Sequence, residues 1–169
     1  MLPRALRADG TVNVVVETPR GAAVKFKYDA DTELFMVSRP LPVGVTYPYD
    51  WGFIPSTRAA DGDPLDAMIL WDGVSYPGVL VPCRLLGLLK VEQTDPASGK
   101  RQRNDRLFAV PIKAPRLEHV RSVFDLQERV RVELEQFFIN VVAFEGKALT
   151  LQGFAGPAEA DAALRSTLQ

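Results

Sequence analysis

The sequence predicts a mainly β fold with α, a small β-barrel with helices laid against it. Three observations carry this expectation. Short β-branched or alternating runs follow one another from Val12 to Ile112. The apolar period then changes to helical spacing between Val123 and Val141. A final alternating run and a second helical stretch close the chain. At 169 residues, with no internal repeat and no linker, residues 1–169 are expected to form a single domain.

Val12 to Glu17 is β-branched and reads as a strand, turned by Thr18-Pro19-Arg20-Gly21. Val24 to Asp29 alternates, with Val24, Phe26 and Tyr28 on one face and Lys25 and Lys27 on the other. The two runs suggest a hairpin carrying two ammonium groups side by side. Leu34 to Ser38 is a third short strand, ending at Arg39, and Pro40 to Gly44 punctuates it. Tyr47 to Pro55 is aromatic and broken by Pro and Gly. It reads either as core filling beneath a long loop or as a wall whose Tyr hydroxyls and Trp N–H serve as polar handles. Val79 to Pro82 and Arg84 to Val91 are β-like, Glu92 to Arg106 encloses a polar hairpin tip, and Leu107 to Ile112 returns. Val123, Leu126, Val130, Leu134, Phe137 and Val141 mark an amphipathic helix, with Asp125 and Glu128 suggesting a capping-box start and Gly146 following its end. Leu149 to Gln152 is a last strand, and Pro157 suits the first position of a helix over about Ala158 to Leu168.

Composition excludes several classes of function. The apolar fraction is 47% and the net charge −1, so bulk charge gives no case for nucleic acid or a membrane. The Lys100 to Arg103 run reads as a solvated charge run rather than a nucleic-acid contact. The single cysteine, Cys83, rules out an intrachain disulfide and a cysteine zinc cluster and reads as a buried small hydrophobe. The single histidine, His119, is expected on a surface helix and makes histidine-rich metal sites and triads poor candidates. No apolar run approaches bilayer-spanning length. Met1 to Gly10 lacks the apolar core of a signal peptide, so a cytoplasmic location is expected.

The stretch with most chemistry is Asp61-Gly62-Asp63-Pro64-Leu65-Asp66, three carboxylates in six residues leading into the apolar run Ala67 to Trp71. Two carboxylates about 4 Å apart repel by roughly 4 kcal/mol at an effective dielectric of about 20. If the three converge, a hard cation, a basic side chain or a shared proton must neutralise them. An exposed turn is the alternative, since Asp, Gly and Pro all favour turns. An EF-hand fits poorly, because its sixth loop position should be Gly and here is Asp66.

From about Val12 to Phe154 the sequence resembles the soluble, Mg²⁺-dependent family I inorganic pyrophosphatases. Asp61 to Asp66 matches the family signature D-[SGDN]-D-[PE]-[LIVMF]-D at every position. Glu17 before Thr18-Pro19, Lys25 within its strand, Arg39, Tyr47-Pro48 and Gly52-Phe53-Ile54-Pro55 agree in order and spacing. The resemblance implies a five-stranded OB-like closed β-barrel, with one long helix and a C-terminal helix packed against it. It implies hydrolysis of inorganic pyrophosphate to two phosphates by metal-activated water. Asp61, Asp66, Glu17 and Asp63 are implied as metal-site residues, and Asp63 as the group that orients or deprotonates the attacking water. Lys25, Arg39 and Tyr47 are implied in the phosphate-holding shell. Mg²⁺ is the implied cofactor, with Mn²⁺ as a substitute, and pyrophosphate the implied partner. The implied assembly is a homo-oligomer, hexameric if bacterial and dimeric otherwise.

Departures from the family pattern cluster on the site. Lys27 stands where a Glu is expected, and Trp51 where a Tyr is expected. Near the first of two hairpin Asp positions stand Glu92, Gln93 and Asp95. Asn104 occupies the second, with Asp105 adjacent; a one-residue strand shift turns a side chain to the other face. Arg106 replaces a Lys, and Val141-Val142 replaces a Tyr-Lys pair. Two expectations follow. Either the site still hydrolyses a diphosphate, with Lys27 supplying positive charge where the family binds a further metal, or it is an altered or inactive relative that binds or hydrolyses another phosphorylated ligand.

Overall fold

The computed structural model describes residues 1–169. Nine strands and two α-helices follow in the order β1 (Val12–Thr18), β2 (Val24–Asp29), β3 (Leu34–Pro40), β4 (Asp50–Ile54), β5 (Leu65–Ile69), β6 (Leu80–Thr94), β7 (Arg101–Arg103), β8 (Arg106–Pro111), α1 (Glu128–Val141), β9 (Leu149–Ala155) and α2 (Pro157–Ser166). The larger sheet runs β1-β4-β5-β8-β6, and β6 pairs back onto β1, so five strands close into a ring. This is the five-stranded barrel that the resemblance implied. β7 and β9 extend from the long strand β6, while β2 and β3 form a separate two-stranded sheet. No helix is long and apolar enough to cross a membrane.

Side-chain alternation divides the core in two. On β5, Leu65, Ala67 and Ile69 face one apolar cluster, shared with Val12, Val14 and Val16 of β1 and with Ala160 and Leu164 of α2. Met68 faces a second cluster, shared with Phe108 and Val110 of β8 and with Leu134, Phe137, Phe138 and Val141 of α1. By the same parity, Asp66 and Arg106 point to the α1 side. Complete burial of a residue such as Phe108 or Ile54 contributes about 1.5–3 kcal/mol.

Two glycines permit close approach in this ring. A Cβ on Gly52 would sit 1.9 Å from the Val15 carbonyl oxygen, so β4 can lie against β1 only without one. Gly87 takes φ +151° at the β6 bulge, where a Cβ would meet the Ala155 carbonyl oxygen at 2.2 Å.

Several local expectations are corrected. The first two strands do not pair as a hairpin, because both edges of β1 are taken by β4 and β6, and β2 pairs with β3. β2 is instead tied to β1 by side chains: Phe26 N donates to Thr18 Oγ1 (3.0 Å), which donates to Phe26 O (3.1 Å), and Tyr28 N donates to Glu17 Oε1 (2.8 Å). The two β-like runs from Val79 to Val91 are one bulged strand. The aromatic segment contains a regular strand, β4. The capping box lies one turn earlier than expected: Ser122 and Asp125 cap a short 3₁₀ turn at Val123–Asp125, Leu126 is extended, and α1 begins at Glu128. His119 lies in an exposed turn rather than on a helix.

Asp50, at the start of β4, is fully buried and gathers three donors. Its carboxylate accepts from Arg20 N (2.8 Å), Trp71 Nε1 (3.0 Å) and Ser75 N (3.3 Å). It thereby fastens the loops after β1 and β5 to the barrel.

Candidate functional site

A basin of about 380 Å³ opens between the barrel, the β2–β3 sheet and the C-terminal end of α1. Glu17, Lys25, Lys27, Arg39, Tyr47, Trp51, Asp61, Asp63, Asp66, Asn104 and Arg106 all line it. Two sequence candidates do not. Glu92 pairs with Arg101 at 2.8 Å. Asp105 turns away, accepting from Val91 N (3.1 Å) and Arg103 Nε (2.9 Å). Of the nearby hairpin residues, Gln93 reaches the basin, whereas Asp95 closes the hairpin tip by accepting from Ala97 N and Ser98 Oγ.

The fold places each group by register. β5 and β8 run parallel with Ala67 beside Leu107, so the preceding residues, Asp66 and Arg106, are neighbours. Arg106 Nη1 donates to Asp66 Oδ2 at 2.8 Å, and the guanidinium lies 5.8 Å from the Trp51 ring centroid. On the β2–β3 sheet, Lys25 stands directly opposite Arg39. Two like charges at such a position are destabilising unless an anion lies between them. Arg39 also reaches Glu145 at 3.5 Å. The loop Asp61-Gly62-Asp63 is an Asx turn, in which Asp63 N donates to Asp61 Oδ1 at 3.1 Å. It presents Asp63 to Lys27, whose ammonium lies 2.8 Å from Asp63 Oδ2. Asp63 and Asp66 are therefore neutralised here by basic side chains, one of the three routes that the sequence left open, while Asp61 forms no ion pair.

The electrostatics are those of charges crowded at the edge of a dry core. Glu17 is only 6% exposed. Burial pushes its carboxyl up to about 7, aided by Asp66 and opposed by the Tyr28 N–H and by Lys25 and Lys27. Burial also raises Asp61, where Asp63 and Asp66 add to the effect and its hydrogen bond from Asp63 N opposes it. Burial pulls the Lys25 ammonium below its ordinary value, although Asp66 opposes this. Burial works against the charge on Lys27 too, but its hydrogen bond to Asp63 and the charges of Asp63, Glu17 and Asp66 hold it above its ordinary value. Tyr47 is buried beside Asp66 and stays protonated far above its ordinary range. It is therefore a hydroxyl donor at neutral pH.

Sequence reasoning missed two charged residues of the basin, Glu145 and Lys147. They come from the segment joining α1 to β9, and no local pattern marks them. They bring the lining to five carboxylates (Glu17, Asp61, Asp63, Asp66, Glu145) and five cations (Lys25, Lys27, Arg39, Arg106, Lys147). Phe137, Phe138, Val141 and Val142 form an apolar wall opposite. Carboxylate oxygens of this kind suit a hard divalent cation. As placed, however, no three acidic groups converge closely enough to hold one, and Asp63 and Asp66 are each engaged by a basic side chain. The donor chemistry fits a divalent ion that competes with those ion pairs.

A family model described as inorganic pyrophosphatase matches residues 14–169. An inorganic pyrophosphatase from Synechocystis sp. is 37% identical over 145 residues, covering 86% of this chain and 82% of the relative. One from Thermus thermophilus is 38% identical over 146 residues, covering 86% and 80%. Among solved structures, the crystal structure of inorganic pyrophosphatase from Thermus thermophilus superposes with a TM-score of 0.89 at 34% identity, covering 98% of this chain and 94% of that one. The structure of an inorganic pyrophosphatase from Coxiella burnetii gives 0.88 at 29% identity, covering 98% and 97%.

Proposed function

Since the chain belongs to the inorganic pyrophosphatase family, we propose that its basin is the active site of a hydrolase that splits inorganic pyrophosphate into two phosphates. The observation that carries this reading is that Asp61, Asp63 and Asp66 line one basin together with Lys25, Arg39 and Arg106. A small polyanion needs those cations, and a water attacking phosphorus needs acids beside them.

Lys25 and Arg39 bind phosphoryl oxygens, Arg39 through its fork of donors, and so relieve their own mutual repulsion. Tyr47 and Arg106 add donors from the floor. Asp63 orients the attacking water and takes its proton as oxygen bonds to phosphorus. The bond from phosphorus to the bridging oxygen then breaks, and the second phosphate leaves with that oxygen. Asp61, Asp66, Glu17 and Asp63 would hold Mg²⁺, with Mn²⁺ as a substitute. When bound there, the ion would supply shielding of phosphoryl charge and a water of lowered pKa. The apolar wall of Phe137, Phe138 and Val141 limits water on the far side. A single domain over residues 1–169, a homo-oligomeric assembly and a cytoplasmic location belong to the same reading.

A second reading, an altered site for another phosphorylated ligand, is favoured by one observation. Val142 and Asn104 line the basin without charge, and Val142 borders an apolar wall that could take a larger organic group. Phosphate release from pyrophosphate across a Mg²⁺ titration, with Asp63→Asn alongside, separates the two. The first reading expects turnover in the ordinary enzymatic range of roughly 1–10³ per second, falling at least about 100-fold in the variant. Equal inertness of both proteins across the titration would overturn it in favour of the second.

A further inference from the structure

Lys27 is held in place more firmly than its exposure suggests. The backbone on either side is pinned to β1, Phe26 to Thr18 and Tyr28 to Glu17. Its Cα is thus fixed, and only the four-carbon stem is free. The stem carries the ammonium across the mouth of the basin to 2.8 Å from Asp63 Oδ2. Side-chain exposures of 50% for Lys27 and 57% for Asp63 leave the contact open to solvent, and an open pair of this kind adds little to folding stability. Its consequence lies in what it occupies. A divalent ion that used Asp63 would have to displace a cation tethered beside it, and tethering gives that cation a high effective concentration.

We propose that Lys27 is a built-in counter-ion that takes the place of one divalent cation at Asp63, so that the basin binds one metal ion fewer than its carboxylates would otherwise recruit. The proposal rests on the reading of the basin as a metal-assisted pyrophosphate site. The balance of five carboxylates and five cations is what such a replacement requires, because the protein itself supplies neutralising charge. An ammonium is a compact point charge that can shield an anion and hold Asp63 in one orientation. It offers no open coordination position to a water. Lys27 is therefore a positioning residue for Asp63, and of the carboxylates assigned to the metal, Asp61, Asp66 and Glu17 are those left to a divalent ion.

Mn²⁺ binding to the ligand-free full-length protein tests this, by calorimetry and by the electron paramagnetic resonance of free Mn²⁺. The proteins compared are wild type, Lys27→Arg, Lys27→Gln and Lys27→Glu. Arg keeps the charge and should leave the number of ions and their affinities as in wild type. Gln removes it and should tighten binding of an ion at Asp63 at least about tenfold, and this gain should vanish when Asp63→Asn is added. Glu should add one bound ion. Circular dichroism confirms folding of each variant, and the exposed position of Lys27 makes all three tolerable. If Gln and Glu match wild type in both stoichiometry and affinity, or if none of the four proteins binds Mn²⁺, the proposal is overturned. Absence of pyrophosphate hydrolysis would count against the assigned reaction and would leave the ion count readable, so the two failures are distinguishable.

Discussion

Glu17→Gln should stabilise the ligand-free protein at alkaline pH and do nothing at acidic pH. Glu17 is 6% exposed, and its carboxyl titrates at about 7 in place of the ordinary 4.5. Below 4.5 the folded and unfolded chains both carry the proton. Between 4.5 and 7 the unfolded chain has lost it while the folded chain keeps it, so unfolding gains and stability falls as pH rises. Above 7 both forms are ionised and the loss is complete. At about 1.4 kcal/mol per pH unit the full loss is about 3 kcal/mol. Gln stands in for the protonated acid, and its Oε1 can still accept from Tyr28 N.

Urea unfolding of both proteins with a chelator present, from pH 4.5 to 8.5, provides the assay. The difference between them isolates Glu17 from every other titrating group. It should be near zero at pH 4.5 and grow to about 3 kcal/mol by pH 8, a shift of roughly 6–12 °C in Tm for a chain of this length. If Glu17 helps hold Mg²⁺ as proposed, saturating Mg²⁺ should shrink or reverse it, because binding the ion then favours wild type over Gln. A pH-independent difference would refute the reasoning, since it would mean that Glu17 ionises alike in both states.

Two further predictions concern the scaffold. Asp50→Ala leaves the Arg20 N–H, Ser75 N–H and Trp71 indole N–H without their buried acceptor, and should cost about 3 kcal/mol or more in urea unfolding. Gly52→Ala drives a Cβ against the Val15 carbonyl oxygen. It should cost more than about 4 kcal/mol or abolish folding, as read by soluble yield and near-ultraviolet circular dichroism.

What the sequence made legible was local. The Asp61 to Asp66 stretch is contiguous, and strand alternation places Lys25 and Lys27 together without knowledge of any partner strand. Pro157 at the first turn of α2 is likewise a local signal. The expectations that failed were decided by distant partners. Thr18-Pro19-Arg20-Gly21 is a plausible hairpin turn, but β4 and β6 win both edges of β1, as tertiary context commonly overrides local strand preference. The apolar period through Val123 and Leu126 continued past a real break, because Leu126 packs on the core from an extended backbone rather than from a helix.

The site shows the same division, and parity explains it. Counting back from Leu107 puts Asn104 and Arg106 on one face and Asp105 on the other, which the sequence can say. It cannot say that β8 lies parallel to β5 in the register that sets Arg106 against Asp66, because no hairpin joins them and some forty residues intervene. Nor can it say that the segment after α1 brings Glu145 to Arg39. The inventory of charges was therefore readable, but their pairing was not, and pairing decides the chemistry. A cluster of three Asp residues read alone leaves a metal, a basic side chain, a shared proton or a plain exposed turn open. The same cluster with Lys27 on Asp63 and Arg106 on Asp66 is already partly neutralised, and a divalent ion must compete for it. On the proposed reading, any such ion competes with two cations that reach the basin from β2 and β8, outside the signature itself.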